Sequence, residues 1–261
     1  MIIYTKDSLK QALQEICGRG WLLNARHGNV GGIGNTLEDL LGIKENNLPI
    51  PNAAEWELKC QRAGSASLTT LFHMEPSPRA LRFVPSILLP KYGWRHELAG
   101  TRYPPTEMSF RQTIHGLSRS DRGFMVVIDK KNRKVLISFS ADTVGSRHQR
   151  WKEEVALRAG LEELNPQPYW GFDDLFHKAG TKLLNCFYIV ADVKKEGGKE
   201  YFRYSKILQL EGFSLDNFLA ALERGDMLVD FDARTGHNHG TKFRLRQDKL
   251  PTLYGKIETI L

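Results

Sequence analysis

Residues 55–60 read EWELKC, and charged and apolar side chains alternate there at every second position. Side chains alternate across a β-strand with period two, whereas a helix repeats every 3.6 residues. The stretch therefore predicts a strand with Glu55, Glu57 and Lys59 on one face and Trp56, Leu58 and Cys60 on the other. The apolar face needs cover, so the strand belongs to a sheet packed on at least one side. For an isolated E-x-E-x-K the plainest reading is a solvated charged face. The rest of the chain decides whether that reading holds.

The flanking sequence supplies candidate covering elements. TKDSLKQALQEICGRG predicts a helix with Leu9, Leu13, Ile16 and Cys17 on one stripe, and Gly18 or Gly20 stands where a helix C-cap belongs. RHGNVGGIGNTLEDLLGI predicts a glycine-rich loop, then a helix capped by Asn35 or Thr36 with Glu38 in its first turn. The loop lacks the G-K-[ST] of a nucleotide-binding P-loop and is not G-x-G-x-x-G. SLTTLFHM predicts a second strand ending at His73, and GFMVVIDKKNRKVLISF predicts a hairpin turning at KKNRK. The polar segment from Ser146 to Arg158 is expected to be exposed, and YWGFDDLFHKAGTKLL is expected to be a helix with Tyr169, Trp170 and Phe172 in the core. NCFYIVADV and YFRYSKILQL read as strands around the turn KKEGGKE. SLDNFLAALERG reads as a helix, DMLVDFDA as a strand, TGHNHGTKFRLR as a loop entering a strand, and the C-terminus as a short helix. Strands and helices mix without strict alternation, which predicts a mixed α/β (α+β) fold.

Composition bounds the function classes. Hydrophobic residues make up 41% and charged residues 26% of the 261 positions, a globular rather than disordered balance. Lys and Arg total 37 against 30 Asp and Glu, so the net charge is 37 − 30 = +7, which favours a polyanionic partner. The three cysteines, Cys17, Cys60 and Cys186, are widely spaced, which argues against a disulfide framework or thiolate zinc site and fits a reducing compartment. The N-terminus is charged too early for a secretory segment, and no apolar run reaches the roughly 20 residues of a membrane helix. A cytoplasmic protein without membrane association is expected.

Two constellations carry chemistry. The first is Glu38, Asn52, Glu55, Glu57 and Lys59. Cutting a phosphodiester needs a divalent metal held by carboxylates, an oriented water, and a cation for the charge that develops. An acidic residue entering a strand, followed by E-x-K on it, supplies these on one face, the logic of the P-D-(D/E)-x-K nucleases. The second is VDFDARTGHNHGTKFRLR, which gathers Asp232, Arg234, His237, His239, Lys242 and Arg244. Arginine forks onto guanine O6 and N7, a carboxylate accepts from cytosine N4, and lysine holds phosphate. That loop suits direct readout of G·C pairs. A ββα-metal nuclease would need further ligands on a following helix, where FRLR reads as strand, and a zinc site on His237 and His239 lacks a well-spaced third ligand.

GNVGGIGNTLEDLLGI, ENNLPIPNAAEWELK, LTTLFH and HNHGTKFRLR, in that order, resemble the MvaI/BcnI family of Type II restriction endonucleases, relatives of the MutH mismatch-repair nicking enzymes. The resemblance covers nearly the whole chain and is weakest over residues 95–170. It implies a P-D-(D/E)-x-K core with a second, DNA-recognition lobe: a catalytic lobe over residues 1–145, a recognition lobe over 146–261, and DNA in the cleft they form. It places the family's helix glutamate on Glu38, its E-x-K on Glu57 and Lys59, its first motif aspartate on Asn52, and a central-base-pair histidine on His73. It implies Mg²⁺ held at positions 52 and 57, Ca²⁺ as a non-cleaving substitute, cutting of double-stranded DNA at a CC-N-GG-type site by a monomer, and a cognate DNA methyltransferase in the same system. Asn52 departs from the pattern. A chain disabled by Asp→Asn is the favoured explanation, ahead of an enzyme in which Glu55 takes over the metal and a DNA binder that does not cut. A mismatch-repair-type nicking enzyme is the other competing function.

Overall fold

A computed structural model describes residues 4–26, 32–43, 55–65 and 67–261. Asn52 and His27 lie outside the described residues. Among the described residues the helices are, in chain order, α1 (Lys6–Gly18), α2 (Gly32–Leu40), α3 (Leu89–Tyr92), α4 (Gln149–Ala159), α5 (Phe172–Leu183) and α6 (Leu215–Glu223). The strands are β1 (Leu22–Leu23), β2 (Trp56–Arg62), β3 (Leu68–His73), β4 (Trp94–Arg95), β5 (Met108–Ile114), β6 (Phe124–Asp129), β7 (Lys134–Phe139) and β8 (Tyr169–Gly171), then β9 (Asn185–Glu196), β10 (Lys199–Phe213), β11 (Met227–Arg234), β12 (His237–Asn238), β13 (Lys242–Arg246) and β14 (Tyr254–Thr259). The fold is mixed α/β. No helix among the described residues is long and apolar enough to cross a membrane.

The chain divides into two compact units, each built from separated segments. One comprises Met1–Ser67, His177–Ser214 and Gln247–Leu261, the other Leu68–Phe176 and Leu215–Arg246. The second unit is thus two insertions into the first. One lies between β2 and His177 within α5, the other between β10 and the Gln247–Leu253 turn of 3₁₀-helix.

The first unit is a sheet in the order β1-β10-β9-β2, with β14 also on β10. Its β9–β10 hairpin is antiparallel and turns through Gly197 and Gly198, both at positive φ. Two-residue hairpin turns of that hand match the strand twist, and glycine adopts them without a Cβ penalty. β2 runs parallel to β9, with Glu57 opposite Cys186 and Lys59 opposite Tyr188. Parallel neighbours need a long crossover, and here the crossover carries the larger insertion and ends in α5. Leu9, Leu13 and Ile16 of α1 and Ile33 and Leu37 of α2 pack with Trp56 and Leu58 of β2 and Phe187 and Ile189 of β9. The Thr5 hydroxyl and the Ser8 side chain form a reciprocal capping box at the start of α1, satisfying backbone donors no helical carbonyl reaches.

α2 begins earlier than the sequence predicts. It starts at Gly32, so Asn35 and Thr36 lie inside it rather than at its cap, and Glu38 stands toward its C-terminal end. Gly32 makes this possible, because a Cβ there would come within 2.8 Å of the Asn24 amide. Thr36 is buried, its hydroxyl 3.4 Å from Asn24 Oδ1.

The second unit holds a sheet in the order β3-β13-β11-β5-β4, with β12 on β11, and a smaller sheet β6-β7-β8. The β6–β7 hairpin is the predicted one, pairing Phe124 with Phe139. Burial alternates strictly along β11. Val229, Phe231 and Ala233 face a core shared with Phe72, Phe110, Phe243 and Phe218 of α6. Two expectations are corrected. Tyr169–Gly171 is a strand and the helix starts at Phe172, because Trp170, fully buried, pairs opposite Val135 and donates to Met74 O. The C-terminus is β14, whose Ile257 pairs opposite Leu210, rather than a helix. The Ser146–Arg158 segment is mostly exposed, as expected, and is largely helical, with Trp151 and Val155 buried on its inner side.

Candidate functional site

The first unit buries the E-x-K carboxylate. β2 takes the predicted alternation, yet Glu57 is only 1% exposed, so the solvated-face reading fails. Glu57 Oε1 lies 2.6 Å from Lys59 Nζ and 3.6 Å from Lys182 Nζ. Its other oxygen, Oε2, is buried without a hydrogen-bond partner among the described residues. An unpaired carboxylate oxygen in the interior is costly, which makes it a strong point of attraction for a cation. Burial pulls the Lys59 pKa down, but attraction and hydrogen bonding to Glu57 outweigh it and the value is raised. Lys59 is therefore an ammonium at neutral pH.

The neighbouring thiol and phenol are neutral. Burial pushes the Cys186 thiol up to about 12, and the Tyr254 hydroxyl is pushed well above its usual range by burial, with Cys186 and Glu57 adding to it. Neither supplies an anion near pH 7. Burial and the charge of Glu38 both raise the Cys60 thiol, so half-buried Glu38 stands in the electrostatic neighbourhood of β2. Glu55 sits in a turn one residue before β2 and is exposed. Among the described residues no cluster of three or more His, Cys, Asp or Glu could hold a metal ion. Sequence reading missed Lys182, Cys186 and Tyr254, since the parallel β2–β9 pairing brings Lys182 and Cys186 to Glu57 and the β10–β14 pairing brings Tyr254 there.

The second unit spreads its predicted readers over the polar face of the larger sheet. Asp230 pairs opposite Lys242 and Thr113, Asp232 opposite Arg111, and Lys242 opposite His73, which places these side chains on one face. Ion pairs link them, one directly across, Arg111 to Asp232 at 2.9 Å, and two diagonal, Lys242 to Asp232 at 3.5 Å and Arg244 to Asp230 at 3.4 Å. Arg244 is loosely held. Its second contact, to Leu68 O, is 3.5 Å, and its buried Nε has no partner among the described residues. Arg234 is firmly held, donating to Glu107 at 2.9 Å and lying 4.6 Å from the Tyr103 ring centre.

The HNHG loop has its own support, which sequence reading also missed. Glu75 accepts from Asn238 Nδ2, from the Thr241 amide and from the Thr241 hydroxyl. His239 N donates to Asp232 O, and the His237 and His239 rings meet edge to face at 4.2 Å. Gly236 and Gly240 both take positive φ. Glu75 follows the predicted strand by two residues, and nothing local marks it as a loop anchor.

The sequence pattern of the MvaI/BcnI restriction endonuclease family matches residues 10–254. The chain belongs to that family. Membership makes it a restriction endonuclease, a nuclease that binds DNA, as the sequence resemblance implies. Two solved structures are similar over almost the full length. One is the MvaI restriction endonuclease in complex with its cognate DNA substrate, at 26% identity and TM-score 0.74, covering 99% of this chain and 100% of that one. The other is MvaI in the absence of DNA, at 26% identity and TM-score 0.60, covering 100% of each chain. A search of curated protein sequences finds no match. Within this family frame, Glu57 and Lys59 on β2, with Glu38 in their electrostatic neighbourhood, belong to one unit, while His73, Asp232, Arg234, His237, His239, Lys242 and Arg244 belong to the other.

Proposed function

We propose that the chain is built as a Type II restriction endonuclease making Mg²⁺-dependent cuts in double-stranded DNA at a short CC-N-GG-type site. The observation that carries the catalytic part is the buried Glu57 carboxylate, with one oxygen on Lys59 and the other unpaired. Magnesium is commonly held by one or two protein carboxylates, with waters and phosphate oxygens completing its shell, so Glu57 Oε2 fits as an anchor, with position 52 or Glu55 as second ligand. When bound, the metal neutralises phosphate charge and makes water more acidic.

Lys59, as an ammonium, donates to the attacking water and holds its oxygen toward phosphorus. Water adds to phosphorus, one P–O ester bond breaks, and the products are a phosphomonoester and a free hydroxyl. One proton of the water goes to the leaving oxygen. Glu38 helps position this arrangement. Arg244 and Lys242 read or hold the G·C pairs and phosphates, with His73 at the central pair. Asp232, His237 and His239 contribute further base contacts, while Arg234 braces the reading face through Glu107. The chain acts as a cytoplasmic monomer beside a methyltransferase of the same specificity.

Asn52 brings no negative charge, so metal affinity falls and the sequence as it stands is a disabled form. The same substitution favours a second reading, a sequence-specific binder that does not cut. Digestion of a plasmid in Mg²⁺ by the Asn52→Asp variant, with mapping of the fragment ends, separates these. Ends within CC-N-GG sites on both strands support the restriction reading. Cuts on one strand only identify a nicking enzyme. Specific binding without any cut identifies a reader of DNA.

A further inference from the structure

We propose that Lys182 is a second cation of the Glu57–Lys59 site, placed to meet a non-bridging oxygen of the phosphate being cut. This rests on the nuclease reading above. The topology explains its position. α5 ends at Leu183, and β9 begins at Asn185 and runs parallel to β2, with Asn185 opposite Trp56 and Cys186 opposite Glu57. The last turn of α5 therefore falls beside the start of β2, and Lys182 stands in that turn, where the helix dipole favours a cation.

The two lysines are not equivalent. Lys59 Nζ reaches Glu57 Oε1 at 2.6 Å, within hydrogen-bond range. Lys182 Nζ stops at 3.6 Å from the same oxygen, near enough for attraction but beyond a normal N–H···O contact. Glu57 is its sole ion-pair partner among the described residues. An ammonium carries three donors, and this contact satisfies none of them well. The Lys182 side chain is 30% exposed while Glu57 is 1% exposed, so the lysine presents to solvent what the carboxylate does not.

Charge points the same way. Glu57, Lys59 and Lys182 together sum to +1, and half-buried Glu38 in the electrostatic neighbourhood of β2 brings the group to zero. The second ammonium beside one buried carboxylate is placed for a ligand that gains negative charge as water adds to it. Phosphodiester hydrolysis is that case. Both ammoniums crowd Oε1 and leave the buried Oε2 without a partner among the described residues, so a metal on Oε2 and a phosphate on Lys182 do not compete for one atom.

The test is salt-dependent binding of a CC-N-GG duplex in Ca²⁺ by the chain and by its Lys182→Ala and Lys182→Arg variants, with cleavage in Mg²⁺ followed in the Asn52→Asp background. Each phosphate contact contributes about 0.9 to the slope of log K against log salt. Lys182→Ala is expected to lower the slope by about that amount, Lys182→Arg to keep it, and Lys182→Ala to slow cleavage at saturating DNA. An unchanged slope with slowed cleavage overturns the phosphate contact and leaves Lys182 acting only through Glu57. Unchanged slope and unchanged cleavage make it a surface residue and also overturn the proposal. If Lys182→Ala does not fold, Lys182→Gln gives the same comparison. Failure of the Asn52→Asp chain to cut with Lys182 intact, alongside the expected slope change, sinks the nuclease reading and keeps the phosphate contact.

Discussion

Glu57 and Lys59 lie two positions apart on one strand and close a 2.6 Å ion pair, and the carboxylate in that pair is buried. A lysine held this close is too engaged to be a spare surface charge. Lys59→Ala is expected to abolish Mg²⁺-dependent cleavage in the Asn52→Asp background while leaving specific duplex binding in Ca²⁺ intact. Gel-shift and digestion assays on the same preparation check this. Equal loss of binding would mark Lys59 as a DNA contact or a structural residue.

The same pair fixes a pH dependence. The folded-state pKa of Lys59 is raised above its unfolded value, Glu57 outweighing burial. A raised lysine contributes stability that is fully present below the unfolded value, about 10.4, and is lost as pH rises through the folded one. The difference in Tm between the chain and Lys59→Met is therefore expected to stay flat from neutrality to about pH 9.5 and to shrink above that. A difference that collapses between pH 6 and 8 would assign the effect to another group.

Arg244 and Arg234 stand on the same sheet face and are expected to behave differently. Arg244 has long contacts and an unpaired Nε, so Arg244→Ala should cost about 1–3 kcal/mol of discrimination at one G·C pair with little change in Tm. Arg234 offsets Glu107, whose side chain is 5% exposed, and removing one partner of a buried pair costs about 3 kcal/mol. Arg234→Ala should lower Tm before it alters specificity. Competition binding against single-base variants, with thermal melts, separates the two.

Glu75 holds the HNHG loop through three hydrogen bonds. Glu75→Ala is expected to reduce discrimination between the site and a one-base variant by roughly tenfold, about 1.4 kcal/mol, by freeing the loop, with nonspecific binding unchanged. Glu75→Gln keeps an oxygen acceptor and should retain part of the discrimination. A uniform loss on all sequences would make the loop a phosphate contact.

Local pattern carried much of this far. Period-two alternation located β2 and its charged face, because that face follows from pleat alone. Turn chemistry located the β6–β7 and β9–β10 hairpins. Burial of Glu57 was illegible, since it depends on β9 and α5, whose pairing with β2 is a long-range choice. Lys182 and Glu75 were missed for the same reason. The start of α2 was misplaced because Gly32 reads as a loop residue in sequence and serves as a contact surface for Asn24 in space. Trp170 had the periodicity of the helix that follows it, and sheet pairing with Val135 overrode that signal.

The most direct measurement is plasmid digestion in Mg²⁺ by three proteins side by side: the chain itself, Asn52→Asp, and Asn52→Asp combined with Glu57→Gln. Discrete fragments from the Asn52→Asp chain alone are the expected result if, as proposed, the buried Glu57 oxygen anchors the metal and position 52 supplies a second ligand when it is Asp. Cutting by the variant that also carries Glu57→Gln would contradict the assignment of Glu57 as that anchor.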